Sequence, residues 1–284
     1  MRRPSNARAA LLLPAATWTA LFFLVPLGLL VLYAFGQINI VTFQVSWGWT
    51  FENFTRLGDS LYLQPIARSL LLSTISTLLC LLLGFPVALW ISRLRGWRQT
   101  AALLAVMIPF WSSFVVRTYA LVNMLGDGGP LADVLSALHL TSNAPGLLYS
   151  PQAIAIGILY TYLPLMILPL YVALERIDPR VMEAAADLGA TRWRTFRRVV
   201  LPLAAPGIIA GCILVGIPAT GEYVIPAILG GGKTLMIGNV IADEFLKVGD
   251  YPFGSALATT LMVILTAILL LARSRLRRYE EAAA

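Results

Sequence analysis

Apolar residues along this chain form six stretches, each long enough to cross a bilayer, separated by short segments that hold almost all of the charge. Their length and near-absence of charge are what a helix solvated by lipid requires. The runs predict transmembrane helices over Leu11–Phe35, Ser69–Ile91, Thr100–Leu125, Gln152–Leu174, Ala204–Leu229 and Ser255–Leu271, the fifth interrupted by Pro218 and ending near Glu222. Pro14 and Pro26 are tolerable irregularities in the first. That run exceeds the 7–15 residues of a secretion-signal core and lacks a small-x-small cleavage site, so it reads as a membrane anchor. Between the first two runs, Trp47, Trp49 and Phe51 mark chain lying at a membrane interface.

One polar interruption differs from the rest. Glu175–Pro202 concentrates six arginines and four acids between the fourth and fifth runs. Asp178 can cap a helix beginning at Pro179, and Gly189 supplies a left-handed stop. Thr191 can cap a second short helix, Arg192 to Val200, that Pro202 is expected to close. On the first of these helices, Met182, Ala185, Ala186 and Gly189 make a small, nearly flat side between Glu183 and Asp187, a shape suited to docking in a groove of another protein.

Composition narrows the class. Hydrophobic residues make up 58% of the 284 and charged residues 12%, about half the usual charged share of a soluble domain. The mean hydropathy is +0.79. An all-α integral membrane protein is the consequence. The formal charge of +7 would suggest nucleic acid in a soluble chain, but here the basic residues flank apolar runs and no such partner is implied. Six crossings put both termini on one side, and sixteen of the 21 lysines and arginines fall on that side's segments. The positive-inside rule then makes the termini and Glu175–Pro202 cytoplasmic.

Candidate chemistry is sparse. Cys80 and Cys212 lie within apolar runs and read as packing residues. His139 has no companion ligands, and Asn53-Phe54-Thr55 is a three-residue sequon match of little weight. Ala227 to Thr234 nearly spells a phosphate-binding loop, but alanine stands at its first glycine and it follows an apolar helix instead of a strand. It also lies on the outer side, so ATP hydrolysis would belong to another subunit. No hydrolase or metalloenzyme signature is present.

Two ionisable residues fall within the apolar layer, Arg117 and Glu222. Counted along straight helices from the cytoplasmic face, both stand on the order of 25 Å deep, near the outer edge of the hydrocarbon. They can pair as a gate, Glu222 can face a translocation path and attract a cation, or both can extend to the interface. Trp111, Tyr119, Tyr160, Tyr162 and Tyr223 share that level, and an interfacial belt is favoured over a cation-attracting lining.

Glu183-Ala184-Ala185, with Gly189 six residues after the glutamate and Leu201-Pro202 beyond, resembles the EAA loop of ABC importer permeases; Val199 stands where that family usually has isoleucine. Ile108-Pro-Phe-Trp-Ser-Ser-Phe-Val-Val-Arg117-Thr-Tyr, Tyr162-Leu-Pro-Leu-Met-Ile-Leu-Pro-Leu-Tyr171, Pro206-Gly-Ile-Ile-Ala-Gly211, Ile217-Pro-Ala-Thr-Gly-Glu222-Tyr-Val-Ile-Pro226, Leu235–Val240 and Asp250-Tyr-Pro-Phe-Gly254 look like the spermidine/putrescine permeases, most like the putrescine branch. The resemblance implies the type I importer fold. It implies a coupling role for Glu183, Ala184, Ala185, Asp187 and Gly189, and a path or gate including Glu222, Arg117, Trp111, Tyr119 and Tyr223. It also implies two ATPase subunits that bind ATP and magnesium, a second homologous permease and an extracytoplasmic binding protein, with no cofactor in this chain and no catalysis of its own. The expected organisation is an N-terminal helix and outer segment over 1–68, a permease core over 69–272 containing the loop 175–202, and a cytoplasmic tail over 273–284, in a bacterial inner membrane. A permease for another small solute, or a secondary transporter working without an ATPase, is the alternative.

Overall fold

A computed structural model of the chain describes residues 13–39, 45–137 and 147–283. Among them, five helices are long and apolar enough to cross a membrane, and the number is six if a pair bent by 90°, Trp97–Trp111 and Phe114–Leu125, counts as one span. In chain order, α1 is Leu13–Tyr33, β1 Gln37–Ile38 pairs antiparallel with β2 Val45–Ser46, and α2 is Glu52–Arg56. Next come α3 Ser60–Arg93, α4 Trp97–Trp111, α5 Phe114–Leu125 and α6 Pro130–Ala137. The second half holds α7 Pro151–Glu175, α8 Pro179–Asp187, α9 Arg192–Thr220, α10 Val224–Leu229, α11 Ile237–Asp243 and α12 Tyr251–Ala283. His139, the basic N-terminal residues and the side chains from Arg275 onward lie outside what is described.

The chain forms two compact units, one from residues up to Leu63 together with Val240–Ile264, the other from Gln64–Asn239 together with Leu265 onward. In the first, the tight turn after α1 is held by Asn53, whose amide donates to the carbonyls of Ala34 (3.0 Å) and Gly36 (2.8 Å). That asparagine of the sequon is buried and its nitrogen is engaged. Arg56 pairs with Asp250 at 3.0 Å and lies 3.9 Å over the ring of Phe253.

The second unit has two apolar cores. One joins Cys80, Phe85, Ala88 and Ile91 of α3 to Met166, Leu170 and Leu174 of α7 and to Val200 and Ala204 of α9. The other gathers Leu72, Leu121, Leu125, Ile154, Ile158, Ile225 and Leu229. Helices α7 and α9 pack backbone against side chain. A Cβ on Gly207 would overlap that of Ala173 and fall 2.6 Å from the carbonyl oxygen of Pro169, and one on Gly211 would fall 2.6 Å from the Met166 sulfur. Small residues permit this approach where no hydrophobic effect drives helices together within lipid.

The structure corrects several boundaries. The third span is not straight: the chain turns by 90° between α4 and α5, where Ser112 and Ser113 are extended. A 3-10 turn, Ile108–Trp111, begins the departure around Pro109, which lacks the N–H a continuing helix needs. The helix that Pro202 was expected to close continues through it. A π-turn at Phe196–Val200 precedes the proline and Leu201 donates to the carbonyl of Phe196, so the ladder is already offset where Pro202 can give nothing. The break in the fifth span falls at Gly221–Tyr223 instead of Pro218, which α9 accommodates internally. Helix α3 begins nine residues earlier than its apolar run, and at 34 residues it extends about 50 Å, well beyond the hydrocarbon thickness.

Candidate functional site

Helix α8 is fastened at both ends by local interactions. Asp178 accepts from the Arg180 N–H at 2.9 Å, with Pro179 as the first helical residue. At the other end, Gly189 takes φ +76° and donates to Ala186 at 2.9 Å, while Ala190 donates to Ala185 at 3.0 Å. These two bonds form the double closure of a left-handed helix stop. Thr191 then accepts from the Arg194 N–H at 3.3 Å and starts α9. Glu183, Ala184 and Asp187 are exposed, whereas Ala185 is half-buried and Met182 packs on the first apolar core. The small side therefore divides, Met182 and Ala185 turned to the bundle and Ala186 and Gly189 exposed, while Val181, Ala184 and Leu188, the last 89% exposed, form a separate outward stripe.

An aromatic strut missed in the sequence ties this loop to the membrane helices. Exposed Trp193 stacks on Phe196 (centroids 5.6 Å apart), and Phe196 meets Phe85 of α3 edge-on, also at 5.6 Å. The i, i+3 spacing of Trp193 and Phe196 was a usable signal. Gln99 adds a second tie, donating to Glu175 at 3.2 Å across the start of α4 and the end of α7. The start of α9 is thus packed on α3, and α4 is tied to the end of α7 that leads into α8.

Glu222 is buried, 7% exposed, in the connection between α9 and α10. One carboxylate oxygen accepts from the Tyr162 hydroxyl, 2.5 Å away, and the other from the N–H groups of Tyr223, Val224 and Ile225 at 3.1, 3.0 and 3.4 Å. It caps α10 and ties it to α7. Asn239 braces the same turn by donating to the Tyr223 carbonyl at 2.9 Å. Arg117 is equally buried, and its guanidinium lies 5.6 Å and 6.0 Å from the rings of Phe110 and Phe114. Among the described residues it makes no ion pair with Glu222 or any other carboxylate, and its Nε and Nη1 have no acceptor. Trp111, Tyr119 and Tyr223 are exposed.

A polar seam runs along α3, meeting α9 at Thr220 and the start of α11 at Ile237. Thr220 donates to the Ser73 hydroxyl at 2.9 Å, Thr77 donates to the Ser73 carbonyl at 2.7 Å, and Ser69 accepts from the Ile237 N–H at 2.7 Å. Ser73, Thr77 and Thr220 open onto a cavity of about 570 Å³, otherwise lined by aliphatic residues such as Ile213 and Ile217. Ser69, Ser73, Ser76 and Thr77 share a helical face by spacing, but which neighbour they meet was not readable. The glycine run that imitates a phosphate loop has a different structural reason. Gly231 turns at φ +55° with the Tyr149 ring filling the space of a side chain, and Tyr149 donates from its backbone to Leu229 at 2.9 Å.

The model of the family described as binding-protein-dependent transport system inner membrane component matches residues 4–278. The chain belongs to this family. As a member, it is a multi-pass inner-membrane component of a transport system and not an enzyme. Its relatives include the spermidine/putrescine transport system permease protein PotB of Escherichia coli K12, 38% identical over 253 residues that cover 89% of this chain and 92% of that protein. PotB of Haemophilus influenzae is 40% identical, covering 89% and 88%. Among solved structures, a bacterial ABC transporter that imports the acidic polysaccharide alginate aligns with a TM-score of 0.75 at 22% identity, over 96% of this chain and 95% of that one. The MetNI methionine transporter aligns with a TM-score of 0.52 at 19% identity, over 78% and 95%. These two likenesses establish the type I ABC importer permease fold.

Proposed function

We propose that this chain forms the translocation path of an ATP-driven polyamine importer and couples it to a separate ATPase through α8. One observation carries the coupling role: a short, acid-flanked helix, capped by its own residues at both ends, stands exposed between two membrane-spanning helices and is strutted to a third. Glu183, Ala184, Ala185, Asp187 and Gly189 form or hold its docking surface. ATP and magnesium belong to the ATPase dimer, a second permease completes the path, and an extracytoplasmic protein delivers the solute. The termini and α8 face the cytoplasm, as the lysine and arginine distribution supports. Polyamine as cargo rests on the names of relatives that are alike over 89% of the chain.

Within the path, Trp111, Tyr119 and Tyr223 have free surface with which to meet a passing cation. Glu222, held by four donors, sets the position of α10, and Arg117 marks the adjoining gate. The test is uptake of labelled putrescine into proteoliposomes containing the whole importer. Glu183→Lys and Gly189→Asp should abolish ATP-driven uptake while leaving the permease in the membrane. Full uptake in both variants, or uptake by the permease with no ATPase present, overturns the coupling role.

A further inference from the structure

The first compact unit contains a cleft of about 650 Å³ whose walls are aromatic. Of its lining rings, Tyr33 and Trp47 meet edge to face, ring centroids 5.1 Å apart, and Phe245 and Tyr251 lie 6.0 Å apart. Leu29, Leu30, Val45 and Ser255 complete the lining. Trp47 is 67% exposed. The size suits a small ligand, and four ring faces around one space favour a cation over a neutral group.

Charge beside the cleft points the same way. Asp243 pairs with Lys247 at 2.7 Å, and Asp250 pairs with Arg56 while also accepting from the Phe253 N–H at 3.0 Å. Glu244 is buried, 8% exposed, yet among the described residues its carboxylate has neither a hydrogen bond nor an ion pair. It adjoins the lining ring of Phe245 in sequence and in space. A Cβ on Gly254, the residue before Ser255, would lie 3.0 Å from that ring and 3.3 Å from the Glu244 Cβ. Arg56, already paired with Asp250, is the one nearby cation among the described residues that favours the charged form of Glu244, and a second cation in the neighbouring cleft favours that form further.

We propose that this cleft binds an alkylammonium group, with the ammonium between the Trp47 and Tyr251 faces and within the field of Glu244, and the alkyl chain along Leu29. For the physiological ligand this rests on the polyamine reading, and it gives the amine a stopping place separate from the Glu222 region. The same chemistry is offered by a free amine and by the headgroup of phosphatidylethanolamine, so the assay separates them.

The assembled importer, without nucleotide or delivery protein, is placed in nanodiscs of phosphatidylglycerol alone, and labelled putrescine binding is measured. Trp47→Ala should weaken binding about 10-fold, the scale of a lost cation–π contact with a desolvated ammonium. Trp47→Phe should retain most of it, Glu244→Gln should weaken it several-fold, and butylamine but not 1,4-butanediol should compete. Loss of putrescine binding when phosphatidylethanolamine is added supports the ammonium site and assigns its occupant to lipid. Equal binding by wild type and Trp47→Ala, or equal competition by butanediol, overturns the site. Should the importer carry a solute that is not an amine while these variants behave as stated, the polyamine reading falls and the site stands. Should polyamine uptake hold while binding ignores the variants, the site alone falls.

Discussion

A single carboxylate can hold a membrane protein's turn together or receive its cargo, and the donors around Glu222 distinguish the two. With four of them occupying both oxygens, a change to glutamine keeps one oxygen for the three backbone N–H groups, turns an amide NH2 to the Tyr162 hydroxyl, and removes the charge that strengthens all four bonds. Glu222→Gln is expected to lower the melting temperature in detergent and the maximal uptake rate, with little change in the concentration for half-maximal uptake. A raised half-saturation concentration at unchanged stability instead marks direct contact with the amine. Glu244 presents the opposite case. Burial, then the nearby charges of Asp250 and Asp243, push its carboxyl above the usual range, with Arg56 opposing. The folded protein therefore holds a proton that the unfolded chain has released, and stability falls as pH rises from the ordinary glutamate range through the raised one. Above that window the dependence is flat. Melting curves of Glu244→Gln should lack this decline from about pH 4 upward.

Among the helices, packing and capping demand glycine for separate reasons. At Gly207 a methyl group meets a backbone oxygen and the Ala173 Cβ, neither of which can swing away. Gly207→Ala should force α7 from α9 at a cost of about 1–3 kcal/mol, read as a lower melting temperature. Gly216→Ala is the control on the same helix. The nearest atom there is the Thr77 hydroxyl at 3.3 Å, and the gain in helix propensity offsets the small adjustment. A melting point unchanged in Gly207→Ala contradicts the close-packed seam. The π-turn before Pro202 and the 90° bend after Trp111 show how the two half-broken spans keep their backbone groups paired: the ladder shifts register or the chain leaves the helix. The bend also revises the depth of Arg117. Its helix leaves the direction of α4 after about 20 Å of rise, so the residue sits near the level of Trp111 and not further outward.

For the whole molecule, orientation decides whether α8 can meet an ATPase. A cysteine replacing Leu188, with Cys80 and Cys212 changed to alanine, is expected to react with an impermeant maleimide only in inverted vesicles. A cysteine replacing Trp47 should react only in right-side-out cells. The reverse pattern puts α8 on the side without ATP and removes the coupling role. Family membership supplies the setting for this experiment, since the chain is the inner-membrane component of a binding-protein-dependent transport system.

Hydropathy alone was enough to locate the five long apolar helices and the bent pair, because the bilayer acts as a solvent on every residue separately and the transfer free energies sum along the chain. The caps at Asp178, Gly189 and Thr191 were legible for a related reason: each side chain or φ angle acts on backbone within a few residues of itself. Ser112-Ser113 carried no comparable signal, since two small residues in an apolar run fit a straight helix as well as a bent one. Only packing brought Tyr162 to Glu222 across sixty positions, left Arg117 without an acceptor, turned Met182 inward and set Phe196 against Phe85. Such contacts depend on which distant surfaces fit together, a property of the assembled fold that no stretch of neighbouring residues contains.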